Sequence, residues 1–245
     1  MRVIKLGGSL LDDTPRRTEV LRGIAKAWKN GEQLILVHGG GKHIDAHLSR
    51  LGIPKRTHGG LRITDDATLE IVVAVLGGVV NKMLVAELSR LGVKAAGISG
   101  SDGQTLMADR HPHIGDVDLG NVGRVRSSDP TLIRAMLAAG ILPVVSSVAA
   151  GKRGTLLNVN ADSAAAAIAA GIGASSLVFL TDVAGLLDGN GAVVSSLDAA
   201  DARALLASDV VSGGMRPKLE AALQALASGV TSIRIGEGGT NLVAA

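Results

Sequence analysis

The sequence predicts an α/β fold: a three-layer α/β/α sandwich around a mainly parallel sheet, with β-hairpin excursions. Three observations carry this. Short aliphatic runs such as Leu34-Ile35-Leu36-Val37 end in glycines and pass into helical patterns, the β-α-β-α alternation of a parallel sheet covered on both faces. Hydrophobic residues make up 47% of the 245, yet aromatics reach only 1%, with Trp28 and Phe179 the whole set. The core must therefore be built from Val, Ile, Leu and Ala, which suits buried parallel strands. The 33 glycines supply tight turns where strands pass into helices.

In chain order, residues 3–6 form a first strand that runs into Gly7-Gly8-Ser9. Asp13-Thr14-Pro15 starts a helix that stops at Asn30-Gly31, with Pro in the first turn. Strand 34–38 and the glycines at 39–41 lead into a helix ending at Leu51-Gly52. Residues 55–64, with Gly59-Gly60 inside, read as a β-hairpin. Thr64-Asp65-Asp66 then caps a long helix whose apolar residues, from Leu69 and Val72 to Leu84 and Leu88, follow the 3.6-residue period. Val75 lies outside that stripe. Gly77-Gly78 falls in mid-helix, where each glycine costs about 1 kcal/mol against Ala. Close helix packing, as across a dimer interface, explains it.

Strand 93–99 ends in a turn at 100–103, and residues 106–125 read as hairpin excursions. A helix starts at Asp129-Pro130 and ends near Gly140, followed by strand 141–146. Residues 156–162 lead into an Ala-rich helix, then strand 177–180. Gly185-Leu186-Leu187 and Gly189-Asn190-Gly191 suggest a further hairpin. Residues 196–207 read as helix. Ser212-Gly213-Gly214-Met215 opens another that contains Lys218, and 232–235 is the last strand expected. No internal repeat or low-complexity linker divides the chain. A boundary between lobes must fall inside one continuous sheet near 171–174, giving an N-terminal lobe 1–172 and a C-terminal lobe 173–245.

Composition excludes several classes. With no cysteine, disulfides, thiolate metal sites and cysteine nucleophiles are ruled out. The scarcity of aromatics argues against stacking platforms for nucleic acid. Net charge is +3 without a basic run, compatible with small anionic substrates. The most apolar window, 164–180, is interrupted by Gly171 and Gly173 and reads as buried helix then strand rather than a membrane span. With no signal segment at the start, a cytoplasmic protein with no membrane partner is expected.

Two strand-to-glycine turns carry the chemistry. Glycines at 39–41 let a ligand approach the backbone, and the following helix offers unpaired N–H groups and the positive end of its dipole. Gly7 and Gly8 repeat the arrangement, and here Lys5 lies inside an apolar strand, where an unpaired charge is expensive. Either Lys5 snorkels out or it faces an anion. Lys218 follows Gly213-Gly214 and is either a surface lysine or a second charge donor. Asp162 is either a helix cap or a buried carboxylate that could hold two lysines. Asn158 could read a polar ligand, and Arg62 could grip a carboxylate with its planar fork. Such parts suit phosphoryl transfer, which needs positive charge and backbone donors. Gly39-Gly40-Gly41-Lys42 is followed by His43, so it lacks the hydroxyl of a P-loop. The six histidines make no metal cluster by spacing, so no protein-ligated metal is expected.

Ile4-Lys5-Leu6-Gly7-Gly8, Val37-His38-Gly39-Gly40-Gly41, Gly60-Leu61-Arg62-Ile63-Thr64-Asp65 and Asn81-Lys82 occur in that order. The segments at 142–147, Leu157-Asn158-Val159-Asn160-Ala161-Asp162, 181–187 and Gly213-Gly214-Met215-Arg216-Pro217-Lys218 follow them. Together the series resembles the amino-acid kinase family, most nearly its members that act on N-acetyl-L-glutamate. The resemblance implies an acylamino-acid lobe followed by a nucleotide lobe, and transfer of the γ-phosphoryl group of ATP to a side-chain carboxylate. It gives Lys5, Lys218, Asp162 and Gly8 catalytic roles. It assigns the acylamino acid to Gly40, Gly41, Arg62 and Asn158. It assigns the nucleotide to Gly7, Asp182, Val183, Ala184, Gly185, Leu186, Leu187, Val210, Val211 and Ser212. Mg2+ would be held mainly by the phosphates. Two other readings stand beside this one: a kinase of acetylated or carrier-linked aminoadipate, and a non-catalytic nucleotide- or anion-binding protein on the same fold. A homodimer across the long helix is implied. Arginine-inhibited members carry a helix ahead of the first strand; here that strand begins at Arg2 or Val3, so insensitivity to L-arginine is expected despite the family-like tail at 236–240.

Overall fold

In the computed structural model, residues 1–181, 185–187, 192–207 and 213–243 are described; the further hairpin expected at 185–191 falls partly outside them. An eight-stranded sheet divides the molecule. Numbered within that sheet, its strands are β1 (Arg2–Leu6), β2 (Leu34–His38), β3 (Ala95–Ser99), β4 (Leu142–Ser146), β5 (Ser176–Leu180), β6 (Ser196–Asp198), β7 (Ser232–Ile235) and β8 (Thr240–Val243). They lie in the order β6-β8-β7-β5-β1-β2-β4-β3. Only the β7–β8 pairing is antiparallel, so six strands share one direction and β6 and β8 oppose it. β1 sits in the interior, with Lys5 in register with Val37 of β2 and Phe179 of β5.

Alternation along β1 and β2 sends side chains to two cores. Ile4, Leu6, Leu34 and Leu36 pack under the helices Thr14–Lys29, Gly41–Arg50 and Asp66–Arg90. Val3, Ile35, Val37 and Phe179 pack under Ala161–Ile172 and Met215–Ala227. This is the three-layer α/β/α sandwich the periodicities predict.

Sequence signals explain the boundaries. Asp13 caps the second helix, its Oδ1 accepting from Arg16 N at 3.1 Å, and Gly31 ends it at a φ of 90°. Asp65 caps the long helix by accepting from Thr68 N at 2.9 Å. The hairpin is present as Thr57–His58 paired with Leu61–Arg62. The excursions at 106–125 contribute Met107–Arg110 and Val122–Ser127, which close with Val148–Ala150 and Leu156–Val159 into a small four-stranded barrel.

Four readings need correction. Residues 74–80 of the long helix form a π-helix, and Val75 is buried rather than lying outside the inward stripe. A π turn brings residues five apart onto one face, so Val75-Leu76 and Val80-Asn81 all point inward. Residues 196–198 are strand, not helix; Asp198 Oδ1 accepts from Ala200 N and Asp201 N, both at 2.8 Å, and starts the helix after them. β8 follows what was expected to be the last strand. Finally, Gly8–Asp12 is a short helix the glycine turn concealed.

Candidate active site

Lys5 projects from the face of β1 that meets helix Ala161–Ile172. There it is only 5% exposed, and its Nζ lies 2.8 Å from Asp162 Oδ1. Asp162 does not cap its helix. Asn160 does, accepting from the backbone N–H groups of Asp162 and Ser163 at 2.8 and 3.1 Å. The Asp162 carboxylate is thereby left to the lysines. Lys218, in the first turn of Met215–Ala227, brings its Nζ to 3.4 Å from Asp162 Oδ2 and 3.2 Å from Gly214 O. Burial pushes the Asp162 pKa up, but the charges of Lys5 and Lys218 outweigh it and hold the group below its ordinary 3.8. Lys218 is thus an ion-paired, largely buried lysine rather than a solvated one.

The glycines separate into two kinds. Gly7 N donates to Leu180 O at 2.8 Å, and a Cβ there would lie 2.8 Å from the same oxygen. Gly40 would place a Cβ 2.9 Å from Leu76 Cδ2. At these two positions protein packing excludes a side chain. At Gly8, Gly41, Gly213 and Gly214, by contrast, a Cβ would meet none of the described residues within 4 Å beyond its own local backbone.

Arg62 pairs with Asp45 and donates through Nη2 to Gly41 O at 3.3 Å. Its Nη1 is buried and has no partner among the described residues. One arm of the fork is therefore already used by the protein. Asp45 also holds Lys55 at 2.9 Å. Burial raises its pKa, yet the bonds from Lys55 and Arg62 prevail and keep it low. Asn158 Nδ2 donates to Thr64 Oγ1 at 3.1 Å, and Thr64 Oγ1 donates to Arg62 O at 2.8 Å, which ties Asn158 to the hairpin.

A cavity of about 1100 Å3 runs past these elements and is lined by residues 59–61, Asn160, Asp162, Gly213, Gly214 and Lys218. Lys5, Gly8, Gly40, Gly41, Arg62 and Asn158 are not part of that lining; Lys5 meets the cavity through Asp162. Of the expected nucleotide residues, Leu186 N donates to Thr240 Oγ1 at 2.8 Å, and Leu187 bridges Val193. Gly185 would bring a Cβ within 2.9 Å of that same Thr240 Oγ1. Gly185 and Leu186 thus lie against Thr240 of β8, and Leu187 does not. Asp182, Val183, Ala184, Val210, Val211 and Ser212 lie outside the described residues.

Sequence reasoning missed the Asn160 cap, the Asp45 clamp on Arg62, and a buried pair, His38 and Asn81, behind the glycine turn. His38 precedes the three glycines directly and Asn81-Lys82 was visible as a motif, but neither had a function on spacing alone.

The chain as a whole has known counterparts. Residues 1–237 match the amino acid kinase family, and the chain belongs to it. An acetylglutamate kinase of Solibacter usitatus is 44% identical over 236 residues, covering 96% of this chain and 90% of that one. One from a Synechococcus strain is 42% identical over 241 residues, covering 97% and 76%. Among solved structures, a Streptococcus mutans protein superposes with a TM-score of 0.88 at 30% identity, covering 99% of this chain and 98% of that one. A Giardia lamblia carbamate kinase bound to AMP-PNP shares the fold alone, with a TM-score of 0.70 at 14% identity and coverages of 100% and 98%.

Proposed function

We propose that the chain transfers the γ-phosphoryl group of ATP to the side-chain carboxylate of N-acetyl-L-glutamate, giving N-acetyl-L-glutamyl 5-phosphate and ADP, a step of arginine biosynthesis. The observation that carries this reading is the Lys5–Asp162–Lys218 triad at the cavity, in a chain whose relatives at 40–44% identity are acetylglutamate kinases. The acceptor is already an anion at neutral pH, so its oxygen attacks the γ-phosphorus without losing a proton, and the bridging bond to ADP breaks. The site then needs positive charge and oriented N–H groups rather than a base. Asp162 fits this. A carboxylate neutralised by two ammonium groups is a poor base, and its use is to hold both lysines in place.

In this reading Lys5 and Lys218 stabilise charge on the transferring group, and Gly8, Gly40 and Gly41 offer backbone N–H groups to carboxylate and phosphoryl oxygens. Arg62, through its unpartnered Nη1, and Asn158 hold the acylamino acid. Residues 182–187 and 210–212, with Gly7, hold the nucleotide. Mg2+ enters with ATP, carried mainly by the phosphates, because a carboxylate occupied by two lysines does not fit a metal. Residues 1–172 form the acylamino-acid lobe and 173–245 the nucleotide lobe of a cytoplasmic homodimer. The outward side of the long helix supports the dimer: Val79 is exposed, and Gly77 and Gly78 face open space.

ADP release measured with N-acetyl-L-glutamate, N-acetyl-L-aminoadipate or no acceptor tests the reading. Release that depends on acetylglutamate is expected. Faster turnover of the aminoadipate compound would move the substrate assignment, and release indifferent to either acceptor would overturn it.

A further inference from the structure

A polar chain runs from the exposed Lys82 into the core behind the glycine turn, on the face of the sheet opposite Lys5. Lys82 Nζ donates to Asn81 Oδ1 at 3.1 Å and to Gly97 O at 3.0 Å. Asn81 Nδ2 donates to Val144 O at 2.9 Å and lies 3.1 Å from His38 Nε2. His38 Nδ1 lies 2.9 Å from Gly39 O. Both His38 and Asn81 are fully buried.

The proton positions follow from which groups can only accept. Gly39 O accepts, so the imidazole proton is on Nδ1. Val144 O and, at 3.3 Å, Ile98 O can only accept, so the amide nitrogen of Asn81 faces inward, and the unprotonated Nε2, nearer than Ile98 O, accepts from it. Each group has one role, and donation runs in one direction from Lys82 to Gly39 O. Burial reinforces the assignment by driving the imidazole pKa down to about 4, which keeps the ring neutral.

The fold makes room for this chain at two points. A Cβ on Gly97 would lie 1.6 Å from Asn81 Oδ1, so only glycine admits the amide there. The π turn brings Asn81 inward beside Val80, and Leu76 and Val80 close against Gly40 at 2.9 and 3.2 Å from where its Cβ would be. The peptide joining Gly39 and Gly40 is trans. Being planar, it points the Gly40 N–H away from the carbonyl that His38 holds.

We propose that His38 and Asn81 are positioning residues for phosphoryl transfer: by fixing the Gly39 carbonyl from behind, they aim the Gly40 N–H at the oxygens bound by the turn. This rests on the turn's assignment under the proposed function. Neither residue touches substrate. Misaiming a donor by about 1 Å is enough to cost on the order of 100-fold in rate.

Two measurements test it. Nitrogen-15 NMR of wild-type protein should show His38 neutral and protonated on Nδ1 from pH 5 to 8; an Nε2–H tautomer, or titration within that range, overturns the proposal. Kinetically, His38→Asn places an amide donor where Nδ1 lies, and His38→Gln places one where Nε2 lies. His38→Asn should keep kcat within about fivefold of wild type, while His38→Gln loses about 50-fold, with the KM for ATP little changed in both. Equal kcat in the two folded variants overturns the positioning role; should either fail to fold, the tautomer measurement decides. Wild-type ADP release in the same assay reports separately on the substrate assignment, since the NMR result needs no turnover.

Discussion

Asp162→Asn separates the two uses of the buried carboxylate. Asp162 presents two acceptor oxygens, one 2.8 Å from Lys5 Nζ and one 3.4 Å from Lys218 Nζ. At an effective dielectric of about 20, these distances correspond to gross attractions of roughly 6 and 5 kcal/mol. Desolvation of the three groups offsets much of that sum. What remains visible is the penalty for leaving buried charge without its partner, about 3–5 kcal/mol. Asparagine fills the same volume but offers one acceptor and one NH2, so one lysine faces a donor and turns away. Urea denaturation should therefore show a loss of about 3 kcal/mol, and ADP release a fall in kcat of about 100-fold. The nucleotide should restore part of the stability, because its phosphates supply the missing negative charge. An Asp162→Asn protein within 1 kcal/mol of wild type that turns over at one third of the wild-type rate or better would refute the argument.

Lys218→Ala should lower kcat about 100-fold and leave the KM for acetylglutamate nearly unchanged, in steady-state kinetics that separate transition-state from ground-state contacts. Arg62→Lys should raise the KM for acetylglutamate with ATP affinity unaltered; lysine lacks the planar fork that serves Asp45 and the ligand together. Gly41→Ala should melt like wild type, since its Cβ meets none of the described residues beyond its own local backbone, yet bind acetylglutamate poorly by calorimetry. Gly97→Ala, colliding with Asn81 Oδ1, should lose about 3 kcal/mol. The pH dependence of unfolding should carry the mark of His38. Its folded pKa is about 4 against an ordinary 6.5, so between these values only the unfolded chain takes up the proton. Stability is full above pH 6.5 and falls as pH drops toward 4, by at most about 3 kcal/mol. Below that, protonation of Asp162, whose folded pKa lies under 3.8, removes a further share. Denaturation curves at pH 7, 5.5 and 4.5 would show the first slope in wild type and its absence in His38→Asn.

The parts of the fold that the chain states locally were legible. Residues 34–37 are apolar on both faces because they are buried on both, and the glycines after His38 mark a strand running into a helix. Lys5 stood out because a charge in a buried strand demands a partner, and Asp162 proved to be that partner. What escaped notice depends on distant neighbours. Thr240–Val243 alternates buried and exposed residues over only four positions, and it is a strand because β6 and β7 flank it. Val75 seemed misplaced because a π turn breaks the 3.6-residue count, and the same irregularity turns Asn81 inward, so that its motif with Lys82 showed no role on spacing alone. The Asp45 clamp on Arg62 joins a helix to a hairpin and has no sequence spacing of its own.

The place of β1 in the sheet has a consequence for synthesis. Its two neighbours are β2, complete by His38, and β5, which begins at Ser176. While the ribosome adds the intervening residues, one side of β1 is a bare hydrogen-bonding edge, and such edges recruit other chains. Lys5 waits nearly as long for Asp162 and longer still for Lys218, both made far downstream. Contacts this remote in sequence form slowly. A nascent chain arrested before residue 176 should be insoluble or held by a chaperone, and one released after β5 has docked should not.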